Sequence, residues 1–246
     1  MSFEMFGFKA RKGVIFALLG APLLTACAGP NAGTDPYEGV NRQIYQFNLA
    51  ADRVAIRPLS NVYGAVPSPV RTSISNFGDN LDQPRSVVND VLQGNSEDAV
   101  HNTFRFLINT TVGVGGLFDP ATSFGLEDRE TGFADTLSVW GVGAGAYQVL
   151  PLLGPSTERD TVGYAVDILL NPLDAIAPDD VADASLPATT LEVLNERFVF
   201  RTTIDNILYD SADGYEQLRI FYLDSRRFEL GEAPAEDDFF DPYEDF

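Results

Sequence analysis

The chain has 246 residues, of which 36 are acidic and 16 basic, and its formal net charge is −20. Such acidity argues against nucleic acid as a partner, because phosphate backbones attract clustered Lys and Arg. The single His and the single Cys exclude a metal site built from these two residue types, and no cofactor-binding motif is present.

The first 26 residues have the features of a secretory signal. Three basic residues precede an apolar run over residues 14–24, and small residues lead up to Cys27. Residues 24–27, Leu-Thr-Ala-Cys, resemble a bacterial lipobox, which implies that Cys27 becomes the acylated N-terminus. An uncut anchor helix is the alternative, but the apolar run is too short to span a membrane. Ala28 favours the outer membrane by the sorting rule of enteric lipoproteins.

Removal of this leader leaves a mature chain of net charge −22, in which every cation is an arginine. Residues 27–36 are predicted to be a lipidated N-terminus and linker, since Gly33 and Pro36 are breakers. Next comes an amphipathic helix that Pro58 is expected to close. Its apolar stripe, at spacings of four and three, consists of Val40, Ile44, Phe47, Ala51 and Val54.

Several helices are expected between residues 67 and 120. Prolines at 67 and 69 open one helix, and Pro84 is interpreted as the first-turn proline of the next, which Gly94 stops. Ser96 is expected to cap a further helix, and Asp119-Pro120 begins a short element. The apolar positions of the helix after Ser96 are Val100, Phe104, Leu107 and Ile108.

Residues 133–160 are the least typical stretch. Between Asp135 and Glu158 there are 22 residues without a charge, interrupted by four glycines and two prolines. Irregular backbone in an apolar setting is tolerated where protein buries it or where it lines a cavity. The pattern predicts a glycine-hinged apolar segment in a protein that lies in or against lipid. A buried core loop of a soluble domain is the alternative.

The rest of the body is also predicted to be helical. We expect a helix over 161–170, an acidic loop over 173–187, and a long helical stretch over 189–228 that Gly214 divides. No segment shows sustained alternation with period two, so the prediction is an all-α domain over residues 37–230.

Residues 231–246 contain seven acids and no base, which predicts a solvated, disordered tail. A docking tail is the alternative, because four aromatic residues are interleaved with the acids. They are Phe239, Phe240, Tyr243 and Phe246.

Motifs over about residues 35–175 together resemble the MlaA/VacJ family of outer-membrane phospholipid-transport lipoproteins. The chain departs from the family's common pattern at 145–147, where it has Gly-Ala-Tyr, and at 133–136, where it has Phe-Ala-Asp-Thr. The stretches that carry the resemblance are 35–48, 80–84, 89–93, 105–113, 116–119 and 140–160.

The resemblance implies a ring of amphipathic helices in the inner leaflet of the outer membrane, with a central channel and a Gly-rich hinge loop. It also implies phospholipids as cargo, a trimeric porin as partner, and a periplasmic phospholipid-carrier protein as recipient. The hinge glycines allow cheap changes of φ and ψ, although close packing is an equal alternative for them. The predicted channel and hinge residues are Trp140, Gly141, Gly143, Gly145, Tyr147 and Pro151.

Three arginines, Arg42, Arg105 and Arg159, are candidates for phosphate contact, because a guanidinium binds phosphate bidentately. Structural ion pairs with the many acids are the alternative that we favour.

Two other classes of function are alternatives to lipid transport. No Gly-x-Ser-x-Gly elbow is present, and His101 has no partner pattern for a catalytic base, so we predict that the chain is not an enzyme. A structural lipoprotein that tethers a porin or an envelope assembly remains the competing hypothesis.

Overall fold

The computed structural model describes residues 35–173 and 177–231, which are mostly helical, as predicted. The signal peptide, Cys27 and the tail beyond Gly231 lie outside the described residues. The helices are α1 (Glu38–Ala51), α2 (Arg57–Tyr63), α3 (Ser68–Gln93), α4 (Ser96–Thr111), α5 (Pro120–Ser123), α6 (Phe133–Val139), α7 (Glu158–Leu169), α8 (Asp179–Ala182), α9 (Ser185–Val199), α10 (Arg201–Asp205) and α11 (Gly214–Glu229).

Pro58 does not close the first helix, contrary to the prediction. A π-helical turn, Asp52–Ile56, joins α1 to α2, and the junction residues keep right-handed helical dihedrals. A proline lacks the N–H that an α-helix needs and clashes with the preceding turn. The π-turn ends at Ile56 and α2 begins at Arg57, so Pro58 occupies the first turn of α2, where a missing N–H costs little.

Pro84 does not begin a new helix, contrary to the prediction, because it lies inside α3, a single helix of 26 residues. The predicted stop at Gly94 is confirmed, since Gly94 caps α3 with a φ of +74°. The cap of α4 is Asn95 rather than Ser96; its side chain accepts a hydrogen bond from the Asp98 N–H. The cap of α4 is thus one residue away from its predicted position. At Pro84, tertiary packing outweighs the low helix propensity of proline.

A short β-hairpin, which the sequence did not predict, lies inside the uncharged segment. Strands β1 (Tyr147–Leu150) and β2 (Gly154–Thr157) pair antiparallel, with Tyr147 opposite Thr157 and Leu150 opposite Gly154. Strand β1 is buried on both faces, so it lacks the polar alternation by which a half-exposed strand is recognised.

The C-terminal region follows the predicted division at Gly214, which begins α11 after the capping residue Asp213. Before it, a second π-helical turn, Asn206–Asp210, follows α10. The predicted loop over 173–187 is wrong in part, because α8 and the start of α9 fall within it.

Polar and apolar side chains are distributed in reverse of the usual pattern for a water-soluble protein. Helix α4 buries Asn102, Arg105 and Asn109 while its apolar residues Phe104 and Leu107 are about half exposed. Helix α1 likewise buries Asn41 and Tyr45, and much of the predicted stripe is exposed: Val40 and Phe47 in α1 and Val54 in the π-turn after it. Within the described residues, no helix combines the length and the apolar character that crossing a membrane requires.

Candidate functional site

The glycine loop, residues 140–146, connects α6 to β1 and is held in place at its two ends. At one end, the Trp140 Nε1–H donates to the Leu92 carbonyl oxygen (3.1 Å), and its ring lies edge-on to Phe133 (5.7 Å between centroids). At the other end, Tyr147 is fully buried in the core among Tyr45 and Tyr215.

Two of the three predicted hinge glycines adopt backbone conformations that favour glycine. Gly141 has a φ of +84° and Gly145 a φ of +74°, whereas Gly143 does not have a positive φ. A Cβ at Gly145 would lie 2.5 Å from Glu158 Oε2, while Gly141 and Gly143 stand in open space. Close packing and the positive φ together therefore disfavour a side chain at position 145, whereas at position 141 only the positive φ does so.

Two asparagines of α1 fix the hairpin through its backbone. Asn41 donates to the Tyr147 carbonyl oxygen (3.1 Å) and accepts from the Val149 N–H (2.9 Å). Asn48, two helical turns further on, donates to the Leu150 carbonyl oxygen (2.8 Å) and accepts from the Leu152 N–H (2.7 Å). The side chains thus satisfy the edge of β1 that a further strand would otherwise occupy.

The hairpin tip borders a cavity of about 550 Å³, which we call the apolar cavity. Side chains of α1, both π-turns, α9, α10 and α11 form the rest of its wall. The residues that define it are Leu49, Ile56, Val149, Leu153, Phe200, Ile204, Ile207, Leu208, Leu218 and Phe221.

One ion-pair cluster lies at the wall of the apolar cavity. Arg197 donates to both carboxylate oxygens of Asp52 (2.8 and 2.9 Å) and to Asp205 (2.6 Å), and the Tyr209 hydroxyl donates to Asp52 (2.6 Å). Arg197 and Asp52 are buried, so the pair is little screened by solvent. Arg197 Nη1 is buried without a hydrogen-bond partner.

A second cavity, of about 630 Å³, is lined mainly by charged and polar side chains, and we call it the polar cavity. Arg226 pairs there with Asp135 (2.8 Å) and Glu229 (2.7 Å). Its defining residues are Arg85, Asp90, Gln93, Asp98, Arg129, Glu130, Thr131, Asp135, Val139 and Arg226.

Carboxylates gather around Glu130 of the polar cavity. Burial among protein groups, and then the charge of Asp128, raise the pKa of Glu130 to about 7 although its side chain reaches solvent. Burial and the neighbouring Asp79 raise the pKa of Glu192 to about 8, and burial raises the pKa of Asp79 to about 6. These groups come from α3, the loop before α6, and α9, which sequence spacing did not bring together.

The six predicted channel and hinge residues border neither cavity. Four of them lie in the glycine loop, which joins α6, part of the wall of the polar cavity, to the hairpin, whose tip is part of the wall of the apolar cavity. Pro151 lies in the turn between the strands, next to Leu152 and Leu153 of the cavity wall. Their role in lipid passage stays a prediction.

The three candidate arginines are all held in contacts within the protein. Arg42 pairs with Glu38 (2.8 Å) and Asp213 (3.0 Å). Arg105, which is buried, forms a bidentate pair with Asp119.

Arg159, also buried, donates to the Ser138 hydroxyl (3.1 Å) and to the Val142 carbonyl oxygen (3.3 Å). These contacts favour the structural interpretation of the three arginines, and phosphate contact stays a prediction. His101 is partly exposed, with Nε2 2.7 Å from the Glu127 carbonyl oxygen. Among residues 35–173 and 177–231, no group of three or more His, Cys, Asp or Glu side chains is arranged to hold a metal ion.

Comparison with known proteins places this geometry in a family. The model of the MlaA lipoprotein family matches residues 33–229. The intermembrane phospholipid transport system lipoprotein MlaA of Shigella flexneri is 34% identical over 219 residues, covering 85% of each chain. The protein of the same description from Haemophilus influenzae is 36% identical over 166 residues, covering 63% of this chain and 66% of that protein.

A solved structure, described as the structural basis for maintenance of bacterial outer membrane lipid asymmetry, has the same fold. Its TM-score is 0.67 at 32% identity, and the match covers 80% of this chain and 99% of that one. The sequence resemblance is thereby confirmed over residues 33–229. The chain belongs to the MlaA lipoprotein family.

Proposed function

We propose that this protein is an outer-membrane lipoprotein, anchored through Cys27, that removes mislocalised phospholipids from the outer leaflet. Phospholipid enters an amphipathic passage and leaves to a periplasmic carrier protein for return to the inner membrane. The protein thereby maintains the lipid asymmetry of the outer membrane, in association with a trimeric porin.

The reversed distribution of side chains is the observation that carries this proposal. Helices that lie in a membrane interface need an apolar face towards lipid, and α3 and α4 expose such faces while they bury amides and charges. Val91 and Phe104 are more than half exposed, whereas Asn102, fully buried, donates to Asp90 (2.8 Å). A large exposed apolar surface of this kind indicates contact with lipid or with a membrane protein.

The interior chemistry suits a lipid, which has both a charged head group and apolar chains. The polar cavity has paired ions and carboxylates, the apolar cavity has aliphatic walls, and the glycine loop connects a wall of one to a wall of the other. Passive movement through such a passage requires no nucleotide or cofactor.

The test is the amount of phospholipid in the outer leaflet of cells with and without the gene. Deletion should raise surface phospholipid, and the gene in trans should reverse the rise. The Cys27→Ala variant should accumulate as an unacylated precursor and fail to complement. A porin pull-down from the same membranes distinguishes this proposal from the competing hypothesis of a tethering lipoprotein. Loss of a tethering lipoprotein would change the recovery of the porin and leave surface phospholipid unchanged.

A further inference from the structure

We propose that the apolar cavity is a binding site for one acyl chain of a membrane phospholipid, whose head group stays outside the mouth of the cavity. This inference rests on the proposed function and deepens it, because it assigns the chain and the head group of the cargo to different places. The glycine loop and the three arginines are not part of this site.

The volume and lining of the cavity suit an alkyl chain. Its volume of about 550 Å³ lies within the range of about 300–1,000 Å³ that is common for ligand sites. Half-buried aliphatic side chains such as Ile204 and Leu218 form the inner wall. Three residues that border the same cavity are each more than half exposed: Leu153, Phe200 and Phe221. They form an apolar rim through which an acyl chain could enter from the lipid.

The two π-helical turns both contribute to this wall. Asp52–Ile56 supplies Asp52 and Ile56, and Asn206–Asp210 supplies Ile207 and Leu208. A π-turn inserts one residue into a helix and is often found at functional sites. Because two such turns line one cavity, we infer that these helices are adapted to leave the cavity open rather than to pack against each other and fill it.

The polar groups at the cavity leave little for a peptide to bind. Asn41 and Asn48 already satisfy the edge of β1, so a peptide strand has no free backbone groups to pair with there. The Asp52 carboxylate is saturated by Arg197 and Tyr209. An alkyl chain needs no hydrogen bonds, so it can lie against these groups without leaving a polar group of its own unpaired.

The experiment uses the full-length acylated protein in nanodiscs of phosphatidylethanolamine and phosphatidylglycerol. The probe is a phospholipid with a diazirine at the methyl end of one acyl chain, and cross-linked peptides are mapped by mass spectrometry. Leu218→Trp fills the cavity, and Ile220→Trp is the matched control, because Ile220 lies two residues further along α11, is exposed and does not border the cavity.

Wild type and Ile220→Trp should cross-link at peptides that contain Leu208 and Leu218. Leu218→Trp should lower that yield by roughly tenfold, because a close-packed interior leaves no second space for the chain. Thermal unfolding of each variant checks folding, and Leu208→Phe replaces Leu218→Trp if the tryptophan does not fit.

Equal cross-linking of the cavity peptides in Leu218→Trp and Ile220→Trp would overturn the proposal. So would labelling confined to the exposed faces of α3 and α4, or labelling of the cavity only by a diazirine fatty acid attached at Cys27. Leu218-dependent labelling supports the chain site even where gene deletion leaves surface phospholipid unchanged. The two proposals therefore fail separately.

Discussion

The apolar cavity and the polar cavity are similar in volume and opposite in chemistry. The apolar cavity has aliphatic walls and one buried ion-pair cluster, while the polar cavity holds several arginines, each beside carboxylates, and a glutamate whose pKa is raised to about 7. Neither suits a whole phospholipid alone, because burying a head group in the first or an acyl chain in the second leaves groups unmatched. The two cavities thus differ in the part of a lipid that each could accommodate.

The ion pairs of the two cavities also differ in how deeply they are buried. Arg197 and Asp52 are buried and depend on each other, whereas Arg129 of the polar cavity is largely exposed and pairs with Asp98 and Glu97. Exposed pairs contribute little to stability, while breaking a buried pair leaves an uncompensated charge. The variants below should therefore separate the two regions, from the largest effect to the smallest.

Arg197→Met should lower the free energy of unfolding by about 3–5 kcal/mol, because Asp52 stays buried without its partner. Urea unfolding measures the change. The control is Arg57→Met, which removes the exposed partner of Asp205 and should cost about 1 kcal/mol or less. Equal losses in both variants would mean that the buried cluster is not special.

Gly145→Val should destabilise the protein by about 2 kcal/mol or more, because a β-branched residue is strained at a φ of +74°. Its Cβ would also meet the Glu158 side chain, which accepts a hydrogen bond from the Tyr37 hydroxyl (3.0 Å).

The double variant Gly141→Val with Gly145→Val should in addition raise surface phospholipid in cells. Gly143→Ala is the control, since Gly143 lacks a positive φ and has open space around it. Normal surface phospholipid at normal abundance of the double variant would argue against a hinge role.

Asn48→Ala should cost about 1–2 kcal/mol, because it removes two hydrogen bonds to the hairpin backbone. Hydrogen exchange of the Leu152 N–H should also speed up, and this readout is local to the tip that borders the apolar cavity. Gln46→Ala, an exposed change on the same helix, should alter neither quantity. Unchanged exchange at Leu152 would show that the tip is held by other contacts.

The carboxylates near the polar cavity should make stability depend on pH in the neutral range. The folded-state pKa values of Glu130, Glu192 and Asp79 (about 7, 8 and 6) lie above those of the unfolded chain. The folded state therefore binds more protons, and stability should fall as the pH rises from about 5 to about 8.

We expect a change on the order of 1 kcal/mol, since partial exposure screens these groups, and hence a decrease of about 2–4 °C in the melting temperature. Glu192→Gln should flatten this dependence, and Glu127→Gln, a change at an exposed position, should leave it intact. A flat pH profile in the wild type would remove the electrostatic distinction between the cavities.

The sequence predicted several features of the fold because they depend on local chemistry. Periodic apolar positions identified α1, α4 and much of α9 and α11, and Gly94 and Gly214 marked real boundaries. The prolines at 58 and 84 misled, since a proline's effect depends on whether neighbouring turns adapt to it. The hairpin was missed because its first strand is buried on both faces.

The sequence by itself identified the family and the uncharged glycine-rich segment, and it predicts the lipidation signal. Only the tertiary structure decided that the apolar stripes face outward, that Arg42, Arg105 and Arg159 are held by partners within the protein, and that the glycine loop connects the walls of two cavities. The reason is physical: periodicity fixes which side chains share a face of a helix, whereas the direction of that face, and the partner that each charge meets, depend on contacts between segments far apart in the chain.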